Sequence, residues 1–185
     1  VTVRDVNYTG SLPVASSGSF FGAVGDLYQA GLPNKHFADI SNANTQGITA
    51  ADYADAISIL TNQDEYVFNV ISAPGLIYNY GDHKTQLDSV ISLASSRGDC
   101  IAVIDLETYG STVSNITSTA TGLNSSYASS YWPWVQVVSA TGRNVYVPAS
   151  CVIPGVYAFT DNSSAPWFAP AGLVRGGIVG VIQAE

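Results

Sequence analysis

The 185-residue sequence contains no methionine, two cysteines and two histidines. Charge is sparse as well: six Lys and Arg stand against fourteen Asp and Glu. Charged residues are 11% of the chain, against about 25% in ordinary soluble domains. The basic residues are scattered singly, which excludes a clustered nucleic-acid surface and a polybasic membrane patch. No apolar run reaches the length of about 18 residues that a membrane span needs. Two cysteines cannot build a disulfide framework, and His36 and His83 are too far apart in sequence for a metal-binding motif. Cys100 and Cys151 each sit in an apolar run, which favours buried free thiols over a disulfide. Residue 1 is Val and methionine is missing, so the expectation is a processed or cut chain. No charged n-region with an apolar h-region opens it.

What is present argues for a packed fold. The chain is 46% apolar and 11% aromatic, too rich for disorder, and its length suits one domain or one with a small appendage. Residues 1–44 are the least regular part, a strand-like Val1–Arg4 followed by Ser/Gly-rich and then polar, turn-like sequence. Order begins at Thr49-Ala-Ala-Asp52, a capping-box start. Tyr53, Ile57 and Leu60 then recur at helical spacing and predict an amphipathic helix over 50–62. Tyr66–Ala73 reads as a buried strand stopped by Pro74-Gly75. Asp82 is placed to cap a second helix with the apolar stripe Leu87, Val90, Ile91 and Ala94, and Arg97-Gly98 is its exit. Cys100–Leu106 is another apolar strand, so the unit is strand–helix–strand with a parallel pair covered on both faces. Its crossover is expected to be right-handed. A short helix fits 112–122, a strand Tyr131–Val138, a turn 140–144 and a return strand Val145–Val147. Pro148 suits the first turn of a helix, which Pro154 and Gly155 would weaken. Leu173–Ile182 reads as a last strand loosened by glycines.

Asp105-Leu-Glu107 is the most enzyme-like feature. Two carboxylates spaced i, i+2 share a strand face, where repulsion can raise one pKa for acid–base work, as in some glycosidases. The acidic ladder such glycosidases carry upstream is replaced by Ile101 and Val103, and the chain is short for a barrel of about 250 residues. The structural reading of the pair is therefore preferred. No G-x-S-x-G elbow is present, Ser17-Gly-Ser19 reads as loop, and Gly22-Ala-Val-Gly25 lacks the Lys-Ser/Thr of a phosphate loop. Tyr131-Trp132-Pro133-Trp134 has the composition of an aromatic platform for sugar or peptide, though such clusters are more often core. Trp167-Phe168, in a Pro-rich loop, is expected to face a partner.

The C-terminal half resembles contractile phage tail sheath proteins. The resemblance runs from Ser125-Ser-Tyr-Ala128 through Tyr131-Trp132-Pro133-Trp134-Val135 to Val147-Pro148-Ala-Ser150. It continues through Gly155-Val-Tyr-Ala158, Thr160-Asp161 and Trp167-Phe-Ala-Pro170-Ala171-Gly172. Upstream, the Thr49 helix, Pro74-Gly75, His83 and Arg97–Asp105 fall in the same order, so about 45–182 is covered. The chain departs where Phe159 replaces the family's usual Arg and where Pro154 enters the helix. It also stops at Glu185, before the family's C-terminal domain, and lacks the N-terminal arm, which implies an internal, protease-resistant fragment. The resemblance implies an α/β core domain over 45–185 with a central mixed sheet and flanking helices. It implies a structural subunit of the virion's tail sheath that stacks in rings around a tail tube. The partners implied are copies of itself and the tube protein. Cofactor, nucleic acid, membrane and small-molecule substrate are not implied, and the fragment alone is expected to be a monomer. Asp105 would then close a core strand and Asp161 would cap or bridge near a helix end. The alternatives are the sheath of a bacterial contractile injection system and, from another class, a carboxylate glycosidase or carbohydrate-binding domain.

Overall fold

The computed structural model describes residues 49–165 and 167–184. The expectations for residues 1–44, including the strand-like start and the separate segment, lie outside the described residues.

Helix α1 (Ala50–Ile59) opens with the expected capping box. The Thr49 backbone N–H donates to Asp52 Oδ2 at 2.6 Å, and the Asp52 N–H donates to Thr49 Oγ1 at 3.2 Å. The Thr49 backbone N–H, with the Thr49 hydroxyl that also donates to Asp52 Oδ2 at 2.8 Å, holds the Asp52 carboxyl below its ordinary range. Tyr53 and Ile57 turn inward, as their spacing predicts. Strand β1 (Val70–Ile77) starts later than expected and passes through Pro74-Gly75, where the sequence reading had it stop. The reason is its place in the sheet. β1 is an edge strand, where a proline costs no ladder bond, and the pairing slips between Ser72 and Ile77 to absorb it.

Helix α2 (His83–Arg97) buries Leu87, Val90 and Ala94, and Gly98 leaves it in the left-handed conformation at φ 73°. Asp82 precedes it without a side-chain cap bond. Strand β2 (Ile101–Asp105) lies parallel to β1. Its Ala102 and Ile104 pack on the face covered by α1 and α2, while Val103 packs on the opposite face. Helix α3 (Val113–Thr121) then leads to strand β3 (Ala128–Ser130), which adds to β2 in parallel. This second strand–helix–strand unit is absent from the sequence reading, because Ala-Ser-Ser carries no strand signal.

The expected Tyr131–Val138 strand is shorter. Only β4 (Val135–Val138) pairs, and Tyr131–Trp134 carries the chain from one sheet to the other with a cis Trp132–Pro133 peptide. β4 forms an antiparallel hairpin with β5 (Asn144–Val147), turned at Gly142 with φ 76°. The α/β class therefore stands, with the strands divided between a parallel sheet, β1-β2-β3, and an antiparallel one in place of one central mixed sheet.

Pro148 is the N-cap of a 3-10 turn (Ala149–Cys151), and helix α4 (Ile153–Ser163) follows. Pro154 does not weaken α4, because it stands in the first turn where an N–H has no acceptor to lose. The 3-10 turn and α4 cover the second face of the parallel sheet with Ala149 and Ile153. The expected strand over 173–182 is instead a short helix, α5 (Gly172–Arg175), and a terminal strand, β6 (Val181–Ala184). β6 pairs with β4, giving the order β5-β4-β6. Gly180, at positive φ, breaks the apolar run that had read as one strand, and Gly172, also at positive φ, precedes it at the start of α5. Among the described residues, no helix is long and apolar enough to cross a membrane.

Arg97 does more than end α2. Its guanidinium donates to Leu60 O at 2.6 Å and Tyr66 O at 2.7 Å, pairs with Asp99 at 2.8 Å and stacks 4.2 Å from the Phe68 ring centre. Gln63 Nε2 donates back to Arg97 O at 2.8 Å. One cation thus staples the connection between α1 and β1 onto the end of α2. Replacing Arg97 by Met leaves two carbonyls without their donor. The expected result is faster hydrogen exchange over 60–68 and a lower urea midpoint, with Arg97→Lys recovering only part because an ammonium lacks the planar fork.

Candidate functional site

β2 alternates its side chains between the faces of the parallel sheet, so Asp105 shares the face of Val103 and points at the 3-10 turn. There it accepts the Ser150 backbone N–H at 3.1 Å and the Ser150 hydroxyl at 2.5 Å. Asp105 and Ser150 are both buried. Burial pushes the Asp105 carboxyl up to about 6, while the two Ser150 bonds pull the other way. Desolvation therefore outweighs the hydrogen bonds.

Glu107 is also buried, but β2 ends at Asp105, so the pair does not share one strand face as its spacing suggested. Glu107 Oε1 accepts from Asn79 Nδ2 at 2.8 Å and Thr119 Oγ1 at 2.5 Å. Its backbone carbonyl accepts the indole N–H of Trp134 at 3.0 Å. Trp134 stands at the entry to β4, so this bond ties the antiparallel sheet to the end of the parallel one. Tyr109 meets Trp134 edge-on and lies 4.5 Å from the Tyr146 ring centre, filling the joint with aromatic contact. Asp105, Glu107, Trp132 and Trp134 share the lining of a cavity of about 100 Å³.

The residues singled out by the tail-sheath resemblance fall into two groups. Asp105, Trp134, Pro148 and Ser150 are buried and converge at this joint, with Pro133 half-buried beside them. Trp132 is partly exposed. Gly155, Asp161, Trp167, Pro170 and Ala171 lie on the surface. Trp167 is 84% exposed. Among the described residues the Asp161 side chain has no hydrogen bond or ion pair, so it neither caps nor bridges there. It sits in the last turn of α4, where free carbonyls already concentrate negative charge. Cys100 is buried as expected, but Cys151 is exposed on the 3-10 turn; both thiols are free. Among the described residues, no group of three or more His, Cys, Asp or Glu is placed to hold a metal ion.

Two elements of this architecture escape the sequence reading. Buried His83 accepts the Ile77 N–H at its Nδ1 at 3.0 Å, which pins the start of α2 to the end of β1. Its position as the first residue of α2 was the available signal. Asn79 and Thr119 hold Glu107 across separations no local pattern reports.

The raised Asp105 carboxyl has a definite sign. Its folded pKa of about 6 exceeds the ordinary 3.8, so the folded state binds this proton more tightly than the unfolded chain. The stabilisation is complete below about pH 4 and is lost as pH rises through about 6. Asp105→Asn is neutral throughout. Urea unfolding of both proteins from pH 4 to 7 is expected to show the variant gaining on the wild type by on the order of 3 kcal/mol. Parallel pH profiles would show that Asp105 does not titrate in this way.

No family model matches the chain, and no curated protein matches it.

Proposed function

We propose that the chain is a structural subunit of a contractile phage tail sheath. Such a subunit stacks in rings around a tail tube in the virion and shifts against its neighbours on contraction to drive genome delivery. One observation carries the reading. Ser150 and Trp134, two buried residues through which the sequence resembles sheath proteins, each fasten another layer to the end of β2. Ser150 binds Asp105 and fastens the 3-10 turn to the parallel sheet, while Trp134 binds the Glu107 carbonyl and fastens the antiparallel sheet to the same point. A subunit that transmits force by rigid-body displacement needs its layers locked in this way. Copies of the chain and a tube protein are the partners of this reading, and it assigns no catalytic residue, cofactor, nucleic acid or membrane. The sheath of a bacterial injection system would use the same joint.

A carboxylate glycosidase would need Asp105 and Glu107 to face an open cleft of several hundred Å³. Both carboxylates are instead buried and taken up by side-chain or backbone donors, beside a cavity of about 100 Å³. That geometry favours the structural reading.

Exposed apolar side chains add to it. Leu173, Val174 and Val179 are almost fully exposed, as is Trp167, on the segment between α4 and β6. Apolar surface of this kind marks protein contacts. The test is negative-stain imaging of the protein that carries this chain, expressed with and without a candidate tube protein. Striated helical tubes are expected. Their absence under every condition, with the protein folded, would remove the proposal.

A further inference from the structure

Helix α4, the paired starts of β1 and β2 at Val70 and Ile101, and the loop after α4 line a further concavity, a cleft of about 400 Å³. Tyr131, Tyr157, Phe168 and Pro170 supply apolar walls, and Asn69 and Asp161 supply the polar groups. The Tyr131 and Tyr157 hydroxyls are hydrogen-bonded to each other, and their rings meet edge-on at 6.3 Å. That contact holds two aromatic surfaces in place. Asp161 brings a carboxylate that nothing among the described residues neutralises. Its position in the last turn of α4 places it against the negative end of the helix, so a cation at this point relieves two unfavourable contacts together.

Phe168, one wall of the cleft, already attracts a cation that is not part of the cleft lining. The Arg175 guanidinium lies 4.8 Å from the centre of the Phe168 ring, yet it forms no ion pair with Asp161. Aromatic faces attract guanidinium and ammonium groups, and a carboxylate at the rim adds a charge-assisted hydrogen bond. The chain as a whole carries a formal charge of −8, which favours a basic visitor over an acidic one.

We propose that this cleft receives a basic side chain, arginine or lysine, from a partner protein. The aliphatic stem lies along Phe168 and Pro170, and the charged head reaches Asp161 with Tyr131 and Tyr157 beside it. This holds whether or not the chain is a sheath subunit. A neutral sugar is a poorer match, because it leaves the Asp161 carboxylate without a counter-charge.

The test uses the 185-residue chain with labelled aromatic residues and follows the ring resonances of Tyr131, Tyr157 and Phe168 by NMR. n-Butylguanidinium is the probe, and n-butanol is its uncharged counterpart. The guanidinium is expected to shift these resonances saturably, with butanol binding about tenfold more weakly and added salt weakening the guanidinium alone. Asp161→Asn is expected to erase most of the difference between the two probes. Asp161 is exposed and its side chain makes no bond among the described residues, so the variant is expected to keep its fold, which circular dichroism checks. Phe168→Leu is expected to weaken guanidinium binding while leaving the fold intact. Absence of a saturable shift, equal binding of butanol, or unchanged guanidinium binding to Asp161→Asn would each overturn the proposal.

Discussion

Ser150 gives both its backbone N–H and its hydroxyl to one buried carboxylate, Asp105, and the second face of the parallel sheet depends on that gift. A carboxylate at the end of an apolar strand is costly to bury without donors. The donors come from a turn 45 residues downstream. Pro148, as N-cap of that turn, leads the backbone into it from β5 in an extended conformation. Beside the Ser150 bonds Ala149 and Ile153 pack against Val103, and α4 covers the same face.

The other end of the joint works by different chemistry. Trp134 needs a partner for its indole N–H as well as room for its ring, and the Glu107 carbonyl and Tyr109 provide them. Glu107 itself is fixed by Asn79 from the loop after β1 and by Thr119 from α3. Both connections of the parallel sheet thus meet at one side chain. The low charge content fits such a design, since the few ionisable groups placed inside are each given hydrogen-bond partners. No buried side-chain nitrogen or oxygen among the described residues lacks a hydrogen bond.

How much of this the sequence could reveal depended on distance along the chain. The Thr49–Asp52 capping box, the Leu87–Val90–Ala94 stripe and the Gly98 exit are local devices, and each was readable from neighbours a turn away. Pro74 was misread because a proline stops a strand or passes through it according to whether the strand is central or at an edge. That is a property of the sheet, not of the residues around Pro74. Leu173–Ile182 was misread because apolar content without a clear period does not distinguish a strand from a helix and turn. At the site, the Asp105–Glu107 spacing drew attention to the right carboxylates. Their donors, Ser150, Asn79 and Thr119, come from other elements, so the local sequence could not show that both acids are occupied. The aromatic cleft was legible only in part: Tyr131 and Phe168 stood out by composition, but their meeting with Tyr157 and Asp161 is tertiary.

Pro74 also governs how the parallel sheet meets the outside. A free sheet edge is a template on which another extended chain can lay itself down. Along β1 that template is interrupted, because Pro74 has no N–H to offer and the register slips around it. At the opposite margin, β3 is only three residues long. Neither border of β1-β2-β3 presents a long regular rail of donors and acceptors. Strand exchange with a neighbouring chain is thereby steered away from the parallel sheet; among the described residues, β5 and β6 are the margins of the antiparallel one.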